Sequence, residues 1–356
     1  MEGDSLNPRE RFVAAISHRL PDCAPRYAEF TPQVLATFRD ETGSDDPAEF
    51  FGYEMREVTF HPSCAHPDYA AYYSELPAGA EIDAWGVAWE PAHLFHLSNM
   101  IHPLRNANSV AAIERYPLPD IQAAYRHADL EERIAAVHGL KLAAVSEWTT
   151  IFEQSWYLRG LDNLLLDMLE RPHLAEALLD RVTDVACFSA RRFAEAGADL
   201  IRTGDDIGTQ RGMMMSAPMW CQWLKPRLAR LVEAAKGANP AVRVLYDSDG
   251  HFEPVIPDLI EIGIDVLAPI QPECNDPLHL KREYGGDLAF WGSIGVQSTL
   301  PFGTPTDVRQ EVKERLATLG QGGGLVIAPS HVIPPETPWE NVVAFFAAVD
   351  EFGCYA

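Results

Sequence analysis

The stretch Val242-Arg243-Val244-Leu245-Tyr246-Asp247-Ser248-Asp249-Gly250-His251 runs apolar and then breaks into two acids and a glycine. A run this short and apolar on both faces fits a strand buried between two layers, as in a parallel sheet. The pattern returns at Leu142 to Val145, Ala198 to Ile201, Val266 to Ile270, Leu288 to Trp291 and Leu325 to Ala328. Pro25 to Phe30 and Met55 to Phe60 precede them and bring the count of candidate strands to eight. Amphipathic stretches lie between these runs. Pro172 to Ala196 and Ser216 to Lys236 read as long helices, and Thr306 to Leu319 aligns Val308, Val312, Leu316 and Leu319 on one helical face. Asn7-Pro8-Arg9-Glu10 supplies a cap, a first-turn proline and an acid, and Thr337-Pro338-Trp339-Glu340 repeats that start signal. Eight strands alternating with helices predict an α/β fold, a single (β/α)8 TIM barrel with an N-terminal helical extension. No linker, repeat or low-complexity tract divides the 356 residues, so one domain over 1–356 is expected. The competing doubly wound sheet lacks its usual support, since neither GxGxxG nor a P-loop follows any run.

Lys plus Arg number 28 and Asp plus Glu 52, a net charge of −24. A field of that sign repels phosphate backbones and anionic bilayers, so neither nucleic acid nor a membrane is an expected partner. No apolar run reaches the ~18 residues of a membrane-spanning helix. The acidic opening Met1-Glu2-Gly3-Asp4-Ser5 lacks an apolar signal region. The six cysteines are scattered, with no CxxC pair, and read as reduced thiols of a cytoplasmic protein. The 27 prolines exceed the usual ~5%, and several mark helix starts or stiffen loops after strands.

Polar residues collect where the runs end: Glu29; Ser146 and Glu147; Asp205 and Asp206; Asp247 and Asp249; Gln271 and Glu273; Ser293; Ser330 and His331. In a barrel these are the C-terminal strand ends, where such enzymes build their sites. Asp247 and Asp249, two apart on an extended chain, point the same way, and Gly250 allows a sharp turn beyond them. With an imidazole such as His331 they could chelate a divalent metal, share a proton for acid–base work, or simply cap the next helix. Of Asp205 and Asp206, one faces inward; the other reading is a helix cap or an ion pair to Arg202 or Arg211. His61 and His66 read as loop residues. The stretch Asp83 to Trp89, with Trp85, either walls a pocket or plugs the barrel. Trp148, Phe152 and Trp156 have the spacing of a helix face, with Trp148 the one expected to reach a site.

These segments together resemble the uroporphyrinogen decarboxylase-like superfamily, which includes the decarboxylase and cobalamin-dependent methyltransferases. The resemblance rests on Asn7-Pro8-Arg9-Glu10-Arg11-Phe12 with Pro21-Asp22, on Trp85-Gly86, His102-Pro103-Leu104 and Tyr116-Pro117, and on Thr203-Gly204-Asp205-Asp206 with Lys225-Pro226-Arg227. Asp247-Ser248-Asp249-Gly250, Trp291-Gly292-Ser293-Ile294 and Pro338-Trp339-Glu340-Asn341 complete it. It implies a barrel with its site at the C-terminal mouth. The decarboxylases carry Arg-Gln-Ala-Gly-Arg-Tyr after the first strand, whose arginines hold substrate carboxylates; this chain has Pro25-Arg26-Tyr27-Ala28-Glu29-Phe30. The methyltransferases bind zinc through His-x-Cys and a later Cys; the matching positions here are Asp247, Asp249 and either Ser330 or His331, without thiolates.

The resulting expectation is a methyltransferase-like or demethylase-like enzyme acting on a small methylated substrate. It places a divalent metal, zinc by resemblance, on Asp247, Asp249 and His331. Asp205, Asp206 and Glu147 take catalytic roles, and Glu29, Trp85, Trp148 and Gln271 contact substrate. No corrinoid-binding Asp-x-His-x-x-Gly is present, so a corrinoid would arrive on a separate protein. The oligomeric state is open, a homodimer among the options. The alternatives are a metal-free decarboxylase and a non-catalytic ligand-binding barrel.

Overall fold

The computed structural model describes residues 5–90 and 99–355, so the acidic residues 1–4 lie outside it. Seven parallel strands form one sheet: β1 Met55–Val58, β2 Ala143–Thr150, β3 Leu200–Gly204, β4 Arg243–Asp247, β5 Val266–Ala268, β6 Ala289–Ile294 and β7 Leu325–Pro329. Their order in the sheet is their order in the chain. Each crossover carries helix, as parallel neighbours require; Pro172–Glu195, for example, links β2 to β3. All six continuous apolar runs from Leu142 onward became strands. Alternation within them sorts two cores. Ala144, Ile201, Val244, Leu267, Phe290 and Ile327 face the helices. Met55, Val145, Leu200, Leu245, Trp291 and Ala328 face inward, where Phe12 and Ile16 from the start of the chain join them.

The eighth strand is not formed. Pro25 to Phe30 runs beside β7 through two isolated parallel bridges, Arg26 to Ile327 and Phe30 to Ile333. Tyr27 N donates to Ile327 O at 3.1 Å and Ile327 N to Pro25 O at 2.9 Å. On the side toward β1, the Arg26 amide donates to the Glu54 carboxylate at 3.0 Å. A side chain has taken the donor that a ladder would use, so seven strands rather than eight make the sheet.

Other expectations need correction. Ser216 to Lys236 is two helices, Ala217–Trp223 and Lys225–Ala238. Pro226 cannot donate to the preceding turn and its ring crowds the carbonyl four residues earlier. The last helix, Trp339–Phe352, is preceded by Pro338 as N-cap, and Thr337 does not cap it. At the start of the chain, Asn7 and Glu10 do form the expected capping box. Trp148 lies on β2, while Phe152 and Trp156 lie on the helix Phe152–Arg159. The expectation of six free thiols also fails: Cys23 and Cys354 are joined as a disulfide across 331 residues. Backbone hydrogen bonds flank it, Ala24 N to Gly353 O and Tyr355 N to Asp22 O. Spacing in sequence gave no sign of this pair because the contact exists only after both ends fold beside β7. Among the described residues no helix is long and apolar enough to cross a membrane.

Candidate functional site

Two connected cavities open at the C-terminal ends of the strands. The inner one is about 190 Å³, walled by Tyr27, Trp148, Trp291 and Leu245. The outer one is about 850 Å³ and extends over Phe30, Leu35, Tyr53 and Arg56. Glu29, Asp249 and His331 line both.

The β4 end builds the acidic side. Gly250 turns the chain with φ +78°, and a Cβ there would sit 2.7 Å from the Gly208 backbone, so only glycine fits. The Gly250 amide donates to Gln271 Oε1 at 3.0 Å. Gln271 therefore pins this turn as well as lining the outer cavity. Asp206 Oδ1 accepts the Asp249 amide at 2.8 Å, tying the β3 end to the β4 end. Burial pushes the Asp247 carboxyl well up, and the charges of Asp249 and Asp206 push the same way. Asp249 is raised to about 6, by burial first and by Asp206 second, against the pull of His331. His331 Nε2 lies 3.6 Å from Asp249 Oδ2, on a side chain 58% exposed. Asp249 and His331 thus meet at the mouth, but the expected three-residue ligand set is not assembled. Among the described residues no group of three His, Cys, Asp or Glu side chains is placed to hold a metal ion. The donors do not fit zinc as arranged.

The two acids after β3 divide their work. Asp205 Oδ1 accepts the amides of Ile151 at 2.9 Å and Glu153 at 2.9 Å. It caps the helix Phe152–Arg159 from another strand, a structural task. Burial raises its carboxyl to about 7 while those amides oppose the rise. Glu153, in the first turn of the capped helix, went unrecognised in the sequence. Burial raises it to about 8, with Asp206 and then Asp205 adding repulsion. Tyr157 Oη donates to Glu153 Oε1 at 3.0 Å.

A bulge decides what β2 offers the mouth. Val145 pairs with Leu200 but Trp148 pairs with Arg202, so three residues of β2 span two of β3. The extra residue reverses the alternation. Glu147, expected inside, instead accepts the Phe60 amide at 3.0 Å and does not line either cavity. Trp148 takes the mouth position, with the Arg202 guanidinium 4.6 Å from its ring. Arg202 was read only as an ion-pair partner for Asp205 or Asp206. Its charge inside an otherwise apolar run was the available signal that it lines a site. It is 1% exposed and pairs with Glu57.

The remaining expected contacts split. Glu29 lines both cavities and accepts the Tyr27 hydroxyl proton. Trp85 packs between the main core and a smaller cluster with Tyr69 and Tyr116, near the small antiparallel sheet Glu81–Ile82, Ala88–Trp89 and Met100–Ile101, and it lines neither cavity. Its carbonyl accepts the Tyr116 hydroxyl at 2.6 Å. Arg26 pairs outward with Asp350.

Comparison with known proteins agrees with this architecture. The structure is similar to a solved methyltransferase from Methanosarcina mazei, with a TM-score of 0.71, 20% identity and coverage of 98% of this chain and 99% of that one. A methylcobamide:CoM methyltransferase, MtaA, from Methanosarcina barkeri is 29% identical over 184 residues, which is 52% of this chain. The match spans only about half, 51%, of that relative's length. A uroporphyrinogen decarboxylase from Pseudomonas fluorescens strain SBW25 is 23% identical over 83% of this chain and 82% of its own. Residues 59–352 match the family described as Uroporphyrinogen decarboxylase (URO-D), and the chain belongs to that family.

Proposed function

We propose that this chain is a small-molecule methyltransferase or demethylase whose site is the paired cavities at the strand ends. In this reading the sheet and the Pro25 to Phe30 segment act together as one (β/α)8 barrel domain. The observation that carries the proposal is the approach of His331 Nε2 to within 3.6 Å of Asp249 Oδ2 at the junction of a small aromatic-walled cavity and a wider outer one. A methyl donor held in the inner cavity loses its methyl group to an acceptor entering from the outer cavity. As the carbon–heteroatom bond breaks, the departing heteroatom takes the proton held by Asp249, and His331 orients that carboxyl. Asp247 is buried beneath, and burial with the neighbouring Asp249 and Asp206 favours its neutral form. Tyr27 and Glu29 close the side shared by both cavities. The outer volume leaves room for a bulky acceptor, and a corrinoid delivered by a separate protein is the co-substrate we favour.

Two features argue against a porphyrinogen. The arginine of the Pro25 to Phe30 segment is turned away onto Asp350, and the inner cavity, about 190 Å³, takes a single small ring. Decarboxylation of a smaller acid is the second reading, because proton-bearing carboxyls also suit protonation of a carbanion. The test presents purified protein with a panel of methylated alcohols, ethers and amines, using free reduced cobalamin as acceptor and following its absorbance. Methyl transfer lost in Asp249→Asn supports the proposal. Carbon dioxide release from unmethylated acids, without methyl transfer from any donor, replaces it with the decarboxylase reading.

A further inference from the structure

Arg202 carries a hydrogen-bonding edge that nothing among the described residues uses. Its side chain is 1% exposed at the inward face of β3. Nε donates to Ser146 O at 2.8 Å, and Nη2 is taken by Glu57. Nη1 is buried and has no acceptor among the described residues, although the residue lines the inner cavity. A buried guanidinium N–H without an acceptor is costly and is normally matched by an anion or a carbonyl. A second buried donor without a partner lines the same cavity: Ser330 Oγ, beyond the end of β7. In sheet order β3 and β7 are well separated, so the two unmet donors belong to different sides of the space. Between them are Tyr27, Trp148 and Trp291, with the Tyr27 and Trp291 ring centroids 5.1 Å apart.

We propose that the inner cavity is a carboxylate-binding site, with Arg202 as the anchor, for a ligand that is a small planar or aromatic monocarboxylate. This rests on reading the mouth as the substrate site, and it names the class of substrate. The guanidinium offers a planar fork suited to a carboxylate. The aromatic walls suit a flat body of one ring, and the volume excludes much more. Ser330 would meet a polar substituent at the opposite end. A dianion is disfavoured because Glu57 already offsets much of the Arg202 charge and Glu29 lines the same cavity.

Isothermal titration of the whole protein at pH 7 with benzoate, and separately with benzyl alcohol, tests the idea. Benzoate is expected to bind at least tenfold more tightly than benzyl alcohol. Arg202→Gln should abolish that preference, with circular dichroism confirming the fold. Arg56→Gln, which removes the arginine of the outer cavity, should retain it. If Arg202→Gln does not fold, the unmodified protein and Arg56→Gln still decide. Equal affinities, absence of benzoate binding, or a preference lost in Arg56→Gln would overturn the proposal. Binding needs no turnover, so benzoate preference without methyl transfer from any donor sinks only the methyltransferase reading. Methyl transfer from a donor without benzoate preference sinks only this one.

Discussion

Glu153 should be a carboxyl whose removal makes the protein more stable. Its ordinary value is 4.5 and burial beside Asp206 and Asp205 raises it to about 8. Below pH 4.5 the group is protonated in both folded and unfolded chains and changes nothing. Between about 4.5 and 8 the unfolded chain releases the proton while the folded chain keeps it, so stability falls as pH rises. At 1.36 kcal/mol per pH unit, the loss at pH 7 is about 3 kcal/mol at most, and about 2 after allowing for relaxation of the neighbouring acids. Glu153→Gln removes the titration while its amide oxygen can still accept the Tyr157 hydroxyl. At roughly 2.1 cal/mol/K per residue, 356 residues give an unfolding entropy of about 0.75 kcal/mol/K. The variant should therefore melt about 3 °C above the parent at pH 7, with no difference at pH 4.5. Differential scanning calorimetry across pH 4.5 to 8.5 measures this directly. A variant that melts lower at pH 7, or an offset that does not change with pH, would refute the reasoning.

Other outcomes follow from the same structure. If the chain-entropy relation holds, the Cys23–Cys354 link across 331 residues is worth at most about 6 kcal/mol. Reduction should then lower the melting temperature by up to about 8 °C, and unfolded, unreduced protein should titrate four thiols rather than six. Asp205→Ala should cost about 2 to 3 kcal/mol, since two backbone amides lose their acceptor; Asp205→Asn should cost far less in the same denaturant titration. Asp249→Asn and His331→Ala should each reduce turnover by about 10² or more with the melting temperature kept within a few degrees. With Asp249 in the proposed role of acid, activity should decline as pH rises through about 6, and a flat profile would remove that role.

The strands were legible because parallel strands buried on both faces leave a continuous apolar signal in the chain. Pro25 to Phe30 carried a weaker version of that signal, and the Glu54 side chain was enough to divert its ladder. The helix break at Leu224 was written in Pro226 and was overlooked in favour of apolar periodicity. Of the residues lining the cavities, Asp249, His331 and Glu29 were legible because they end or follow apolar runs, whereas Trp148 was singled out through a helix-face spacing that its place on a strand does not bear out. Glu147 was misplaced, since regular alternation from Val145 points it inward and a bulge has no reliable mark in composition. Glu153 and Arg202 were missed for opposite reasons. The acid looked like an ordinary first-turn helix residue, and its environment is supplied by β3. The arginine sat inside a strand run, where its charge was the clue.

The bulge in β2 has a consequence for how such a barrel can diversify. One residue more or less between Val145 and Trp148 would exchange a carboxylate for an indole above Arg202 without altering any other strand. A shift of the pleat by one residue is then one route between an acidic and an aromatic ceiling. A chain of the same residues without the bulge would present the opposite chemistry to the same guanidinium, so residue identity at Glu147 and Trp148 does not by itself say which of the two faces the mouth.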